Sequence, residues 1–305
     1  MHIRHSHLRV PAACRGSAAP AAFLFFLGLG VGAVAVMLGG NRVDLSGLGR
    51  GGSAAVLHLA ALQLDTQRLA IFAQDAAAGN FDAFDEMQTL SRRIDEAINS
   101  LRSGDEKLGL ARPGDAQWDA LDRLARTWHT VAGDRARISE RQALILDLAD
   151  AAHRFSAGTT SMLARLDSLV NALLEMDAPG FQVHQVNTQT MRAMRMQSGL
   201  RDILRGDETA FIAADRFARD ATAFGRVLDG MLHGNEELRI ARIDNEAGVR
   251  ILSEIHGHFS ELEAMIDEIL TASTELFEVK EAAETIRIES ERVIDAAAAL
   301  AATYR

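Results

Sequence analysis

The sequence predicts an all-α protein: an N-terminal transmembrane helix followed by two tandem, duplicated antiparallel helical-bundle modules set end to end. Three observations lead there: a composition suited to long helices, one charge-free apolar run near the N-terminus, and an internal repeat. Of 305 residues, 48% are hydrophobic and 24% charged, but only 5% are aromatic and four are proline. The aromatic and β-branched runs that build sheets are therefore scarce. This length suits two compact units better than one.

The apolar run is Pro20 to Gly40, which holds no charged side chain. About 20 apolar residues span a bilayer as a helix. Arg4, Arg9 and Arg15 precede it, so the positive-inside bias keeps residues 1–19 in the cytoplasm and exports the body. Gly28 and Gly32 form a GxxxG spacing, a candidate dimer contact between membrane helices. A cleaved signal peptide is the alternative, because Ala33-Val34-Ala35 has the small residues of a cleavage site. The run continues through Val36, Met37 and Leu38, which favours the anchor.

Charge divides the chain. Residues 1–50 carry a balance of +4, and the rest carries −14 within the overall −10. An acidic body repels a phosphate backbone, which argues against nucleic acid as a partner. Cys14, the one cysteine, permits no intrachain disulfide.

After a Gly/Ser-rich connector the body repeats itself. Arg68, Asp75, Gly79, Ala83 and Phe84 recur as Arg195, Asp202, Gly206, Ala210 and Phe211 at one offset of 127 residues. Leu101 to Leu108 recurs as Met231 to Leu238 at offset 130, and Trp128 falls opposite Phe259 at 131. Each copy has the same plan. A first helix ends at a glycine suited to a left-handed position (Gly79, Gly206), and Asn80 or Asp207 follows as a candidate N-cap. A second helix ends at Gly104 or Gly234, and a longer apolar-striped segment follows. Leu276, Val279, Ala283, Ile286, Ser290, Val293, Ala297 and Leu300 then keep a heptad register. Asp177-Ala178-Pro179-Gly180 breaks the pattern. The expected division is a tail at 1–19, a membrane helix at 20–40, a linker at 41–56 and modules at 57–178 and 181–305.

The candidate site residues are Arg68 and Arg195, at equivalent places on the first helix of each copy. Arg has the planar, bidentate donor set that suits an anion or a partner carboxylate; the alternative is an ordinary surface ion pair. Phe84, Phe211, Trp118, Trp128 and Phe259 are expected in the core. His256 and His258 are two apart, and His153 and His184 have no ligand-spaced neighbours, so no metal site is expected. No phosphate loop, GxSxG or HExxH is present. The expectation is no catalytic residue, no cofactor and no enzymatic activity.

The segments Gln67-Arg68-Leu69-Ala70, Gly79-Asn80-Phe81-Asp82-Ala83-Phe84 and Gly104 to Leu110, with Arg195-Met196, Ala213 to Asp220 and Phe224 to Leu228, resemble the periplasmic region of PilJ-like, type IV pilus methyl-accepting chemotaxis receptors. The resemblance covers about residues 20–305. It implies a homodimer in the bacterial inner membrane, with the body in the periplasm. That body would sense surface contact, the major pilin or a ligand, and would signal to a cytoplasmic coupling protein and histidine kinase that control twitching motility. The chain departs from the family by stopping inside a heptad pattern, before any second membrane helix or signalling hairpin. The expectation is that it does not signal alone. Two other readings fit the residues: a membrane-tethered periplasmic coiled-coil adaptor, and a nitrate-like anion sensor of a histidine kinase using Arg68 and Arg195.

Overall fold

The computed structural model describes residues 36–38, 41–43 and 50–304. Two compact units result, Met1–Ser46 and Gly47–Arg305. In the first, strands β1 (Val36–Leu38) and β2 (Asn41–Val43) pair antiparallel, Val36 opposite Val43 and Leu38 opposite Asn41. The expected membrane helix at 20–40 otherwise lies outside the described residues, as do Gly28 and Gly32. At 36–38 that expectation is corrected, because strand replaces helix. Gly39-Gly40 separates the strands in sequence, a dipeptide type that two-residue hairpins favour. Among the described residues no helix is long and apolar enough to cross a membrane.

Among its described residues the second unit contains seven helices: α1 (Arg50–Ala77), α2 (Phe81–Ser103), α3 (Asp115–Glu140), α4 (Gln142–Glu175), α5 (Gly180–Arg205), α6 (Ala210–His233) and α7 (Glu246–Ala302). The expected linker at 41–56 is therefore shortened, since α1 already starts at Arg50. Propagation from a packed segment adds one hydrogen bond per residue, which outweighs the weak helix propensity of Gly51 and Gly52.

Two long rods organise the unit. Between α3 and α4 only Arg141 leaves the helix, and its N–H still bonds the Ile138 carbonyl at 3.2 Å. The other rod is α7, whose 57 residues extend about 85 Å at 1.5 Å each. The hairpin α1–α2 packs on α3 and α7, and the hairpin α5–α6 packs on α4 and α7. One apolar core gathers α1, α2, α3, Ile145 and the end of α7 from Val279 to Leu300. The other gathers α4 from Leu148, α5, α6 and α7 as far as Leu276. The break at Asp177–Gly180 is thus the α4–α5 turn within the second core, and the last heptads of α7 pack in the first.

The repeat reappears as backbone. Gly79 and Gly206 both have positive φ, +91° and +66°, and close the hairpin turns. At Gly79 a Cβ would meet the Ala149 Cβ at 2.4 Å, so the turn tolerates no side chain. Asn80 caps α2 by accepting from the Asp82 N–H at 3.2 Å. Copy two differs here: Asp207 accepts from the Thr209 N–H and hydroxyl, and α6 begins only at Ala210. The loops after α2 and α6 match closely. Asp105 pairs with Leu110 and Asn235 with Ile240, and each Asx side chain accepts from loop N–H groups.

All eight positions of the terminal heptad, Leu276 to Leu300, are buried, as are Phe84, Trp128 and Phe259. Trp128 also donates its indole N–H to Asp95 at 2.5 Å. Phe211 and Trp118 depart from expectation at 48% and 40% exposed. The late start of α6 turns Phe211 outward, where it tilts against Phe277 at 5.4 Å. Trp118 lies in the first turn of α3, off the stripe formed by Leu121, Leu124 and Trp128.

Candidate functional site

Helix α1 buries Ala55, Leu59, Leu62, Leu69, Ala73 and Ala76, which fixes which face it turns away from the core. On that outward face Leu57, Ala61, Leu64, Arg68 and Ile71 follow one another at steps of four and three residues. Leu57, Leu64 and Ile71 are 47%, 47% and 60% exposed, an apolar seam with heptad spacing that no other helix of the second unit covers among the described residues. Carried along α5 at the repeat offset, the same positions are His184, Thr188, Met191, Arg195 and Ser198. Both candidate arginines therefore occupy one site in the repeat, flanked by aliphatic side chains on α1 and by a mixed polar and apolar set on α5, where Met191 is also exposed.

Their chemistry differs as well. Arg195 is held by Asp220 of α6 through two bonds, Nε to Oδ2 at 3.0 Å and Nη2 to Oδ1 at 2.5 Å. That bidentate acceptor raises the Arg195 pKa. Arg68 is exposed and makes no ion pair among the described residues. In its hairpin the cross-helix pair is Asp65 with Arg93 at 3.0 Å, so acid and base have exchanged helices relative to copy two. Asp65 is 6% exposed, and burial raises its pKa against the opposing pull of Arg93 and then Arg68. Only Arg68 keeps its donors uncommitted, and it does so in the middle of an apolar seam.

The remaining predicted groups lie apart. His258 contacts the Gly158 carbonyl at 3.2 Å and Glu261 at 3.5 Å. His256 lies on another face of α7, and His153 lines a cavity on α4. No cluster of three metal-ligating side chains occurs among the described residues.

No family model matches the chain. Protein PilJ of Pseudomonas aeruginosa is 32% identical over 244 residues, which is 80% of this chain and 36% of PilJ. The chain is related to the PilJ-like chemoreceptors. AlkN of Alcanivorax borkumensis, assigned to methyl-accepting chemotaxis, is 30% identical over 235 residues, 77% of this chain and 34% of AlkN. The chain thus spans about a third of the length of these PilJ-like relatives, which are signalling proteins. The TorS sensor domain, solved with TorT in the presence of TMAO, aligns with a TM-score of 0.44 at 11% identity, covering 82% of this chain and 97% of that one.

Sequence reasoning found the PilJ-like repeat and its two arginines but missed the seam around Arg68. The signal was available: Leu57, Leu64 and Ile71 form a second seven-residue period, offset from the core stripe.

Proposed function

We propose that this chain is the extracytoplasmic sensory region of a type IV pilus chemoreceptor, anchored by its N-terminal apolar segment. The observation that carries this reading is the similarity to PilJ over 80% of the chain. The two PilJ-type repeats, 57–178 and 181–305, whose helices are shared between the two cores, meet a pilus component or ligand. The chain works as a homodimer, with the α1 seam against its counterpart in a second copy and Arg68 at that junction. A signalling half, with its coupling protein and histidine kinase, receives the output at the inner membrane. The continuity of α7 through both cores supports this, because a displacement at one end of a rigid helix is felt at the other. The intramolecular pairing of Arg195 with Asp220 counts against a symmetric anion site built on both arginines.

The test is a chimera in which this chain replaces the matching region of PilJ. We expect it to restore twitching in a strain lacking PilJ. The same chimera with Ile286→Pro should fold its second core and yet fail to signal. Ile286 is fully buried within α7, and a proline there breaks an intrahelical bond at a cost of about 3 kcal/mol. Normal signalling by the proline variant would overturn the transmission route, and an inert parent chimera would overturn the receptor reading.

A further inference from the structure

Where the two cores meet, the helix ends leave a cavity of about 330 Å³. Its walls come from four elements: Ala77 at the end of α1, Leu148 and Ala152 on α4, Leu204 at the end of α5, and Leu276 on α7. These walls are aliphatic, and three polar side chains break them: Lys280, Ser156 and His153. A volume of this size suits a small ligand held mostly by apolar surface with a few polar anchors.

Lys280 is the unusual group. Its stem lies against the left-handed turn between α5 and α6, where a Cβ on Gly206 would sit 2.5 Å from the Lys280 Cγ. The side chain lines the cavity and is half-buried. No carboxylate among the described residues pairs with its ammonium. The nearest acid along α7 at helical spacing, Glu284, is engaged by Arg287 at 2.7 Å. The other cation at this level, Arg141, is engaged by Glu278 at 2.7 Å. Burial also pushes the Lys280 ammonium below its ordinary pKa, as expected of a cation deprived of water and of a counter-ion. An unpaired cation over aliphatic walls is unfavourable as it stands, and a bound anion with an apolar tail relieves both deficits.

We propose that this waist cavity binds a short aliphatic carboxylate, its oxygens facing Lys280 and Ser156 and its chain lying against Leu148, Ala152 and Leu276. His153 is exposed at the rim of the cavity. Because the walls are drawn from both cores, occupancy bridges α4 and α7 at the level where core membership changes. The site is independent of the pilus reading and stands or falls on binding alone.

The experiment is calorimetric titration of the full chain, in non-ionic detergent, with hexanoate, hexanol, hexylamine and dodecanoate. Hexanoate should bind saturably, with hexanol and hexylamine at least about tenfold weaker. Dodecanoate should also be weaker, which separates a free short acid from a lipid-derived chain too long for the cavity. Lys280→Met, which keeps the stem against Gly206, should lose about tenfold in hexanoate affinity while its helical melting curve is unchanged or raised. If Lys280→Met does not fold, Ser156→Trp at the half-buried rim must abolish binding. Equal binding of hexanol and hexanoate, retained affinity in Lys280→Met, or no carboxylate binding overturns the proposal.

Discussion

At the centre of α1 the core position is Leu62; at the equivalent place in α5 it is Gln189. Each is 1% exposed, but both amide atoms of Gln189 lack a hydrogen-bond partner among the described residues. The same exchange recurs one heptad earlier, where Ala55 is replaced by Gln182, whose amide does donate to the Arg242 carbonyl at 3.2 Å. The α1–α2 hairpin thus buries aliphatic groups and leaves apolar ones outside. The α5–α6 hairpin buries neutral amides at these two positions, and it too leaves apolar side chains outside, among them Phe181, Met191 and Met194. One backbone plan has been filled in two ways, and the unpartnered buried amide makes the second half the less firmly held. In a sensor, the weaker half is the one that yields when a partner presses on it.

The largest test of this contrast exchanges the two residues. Leu62→Gln should destabilise the chain by about 3 kcal/mol, combining lost aliphatic burial with an unpartnered buried amide. Gln189→Leu should stabilise it by about 1 kcal/mol by removing such an amide. Urea unfolding followed by circular dichroism measures both, and equal and small effects would show that the halves are equally firm.

A second, smaller effect separates the outer faces. On the proposed dimer, Leu64→Asp in the α1 seam should weaken self-association by about tenfold or more, since a charge would then be buried opposite its own copy. Met191→Asp at the equivalent exposed place on α5 should leave self-association unchanged. Sedimentation of both variants decides the point, and an inverted order would move the junction to α5.

The smallest effect is one of pH. The buried acids Asp65 and Asp134 both belong to the first half. Asp134 faces Arg137 at 3.0 Å, with Glu281 and Glu289 of α7 close by. Burial raises its pKa first, Arg137 lowers it, and the two glutamates add to the rise. A carboxyl whose folded pKa exceeds its unfolded value is a burden at neutral pH, and that burden lifts as pH falls through the folded pKa. Asp207 of the second half is held low by Thr209 and has the opposite slope. Asp134→Asn should therefore melt higher at pH 7 and lose part of the gain that wild type shows on mild acidification. A melting curve insensitive to the substitution at both pH values would remove Asp134 from the account.

Much of this was legible beforehand, for identifiable reasons. Gly79 and Gly206 announced the hairpin turns because only glycine accepts their backbone without strain. The heptads from Leu276 to Leu300 announced a buried stripe because every position obeys one period. What stayed hidden depends on non-local packing. Nothing near residue 141 says that α3 and α4 run on as one rod, and nothing near residue 276 says that α7 passes from one core to the other. Phe211 was misplaced because Asp207 and Thr209 bond each other and delay α6, an event smaller than the repeat offset could register. At the candidate site both arginines were visible, but the partner that distinguishes them, Asp220, is 25 residues from Arg195 in sequence.

The passage of α7 between cores also bears on how the chain is made. Gln63 of α1 donates to the Ile294 carbonyl at 3.0 Å across 231 residues, and Gln117 of α3 donates to the Thr303 carbonyl at 3.1 Å across 186. Helices α1, α2 and α3 emerge from the ribosome early but remain an open trough until the final heptads of α7 arrive to close it. The second core needs α7 only as far as Leu276 and so can assemble first. Closure of the first core therefore depends on the heptads synthesised last, although its other helices are made first, a long-range dependence that slows folding.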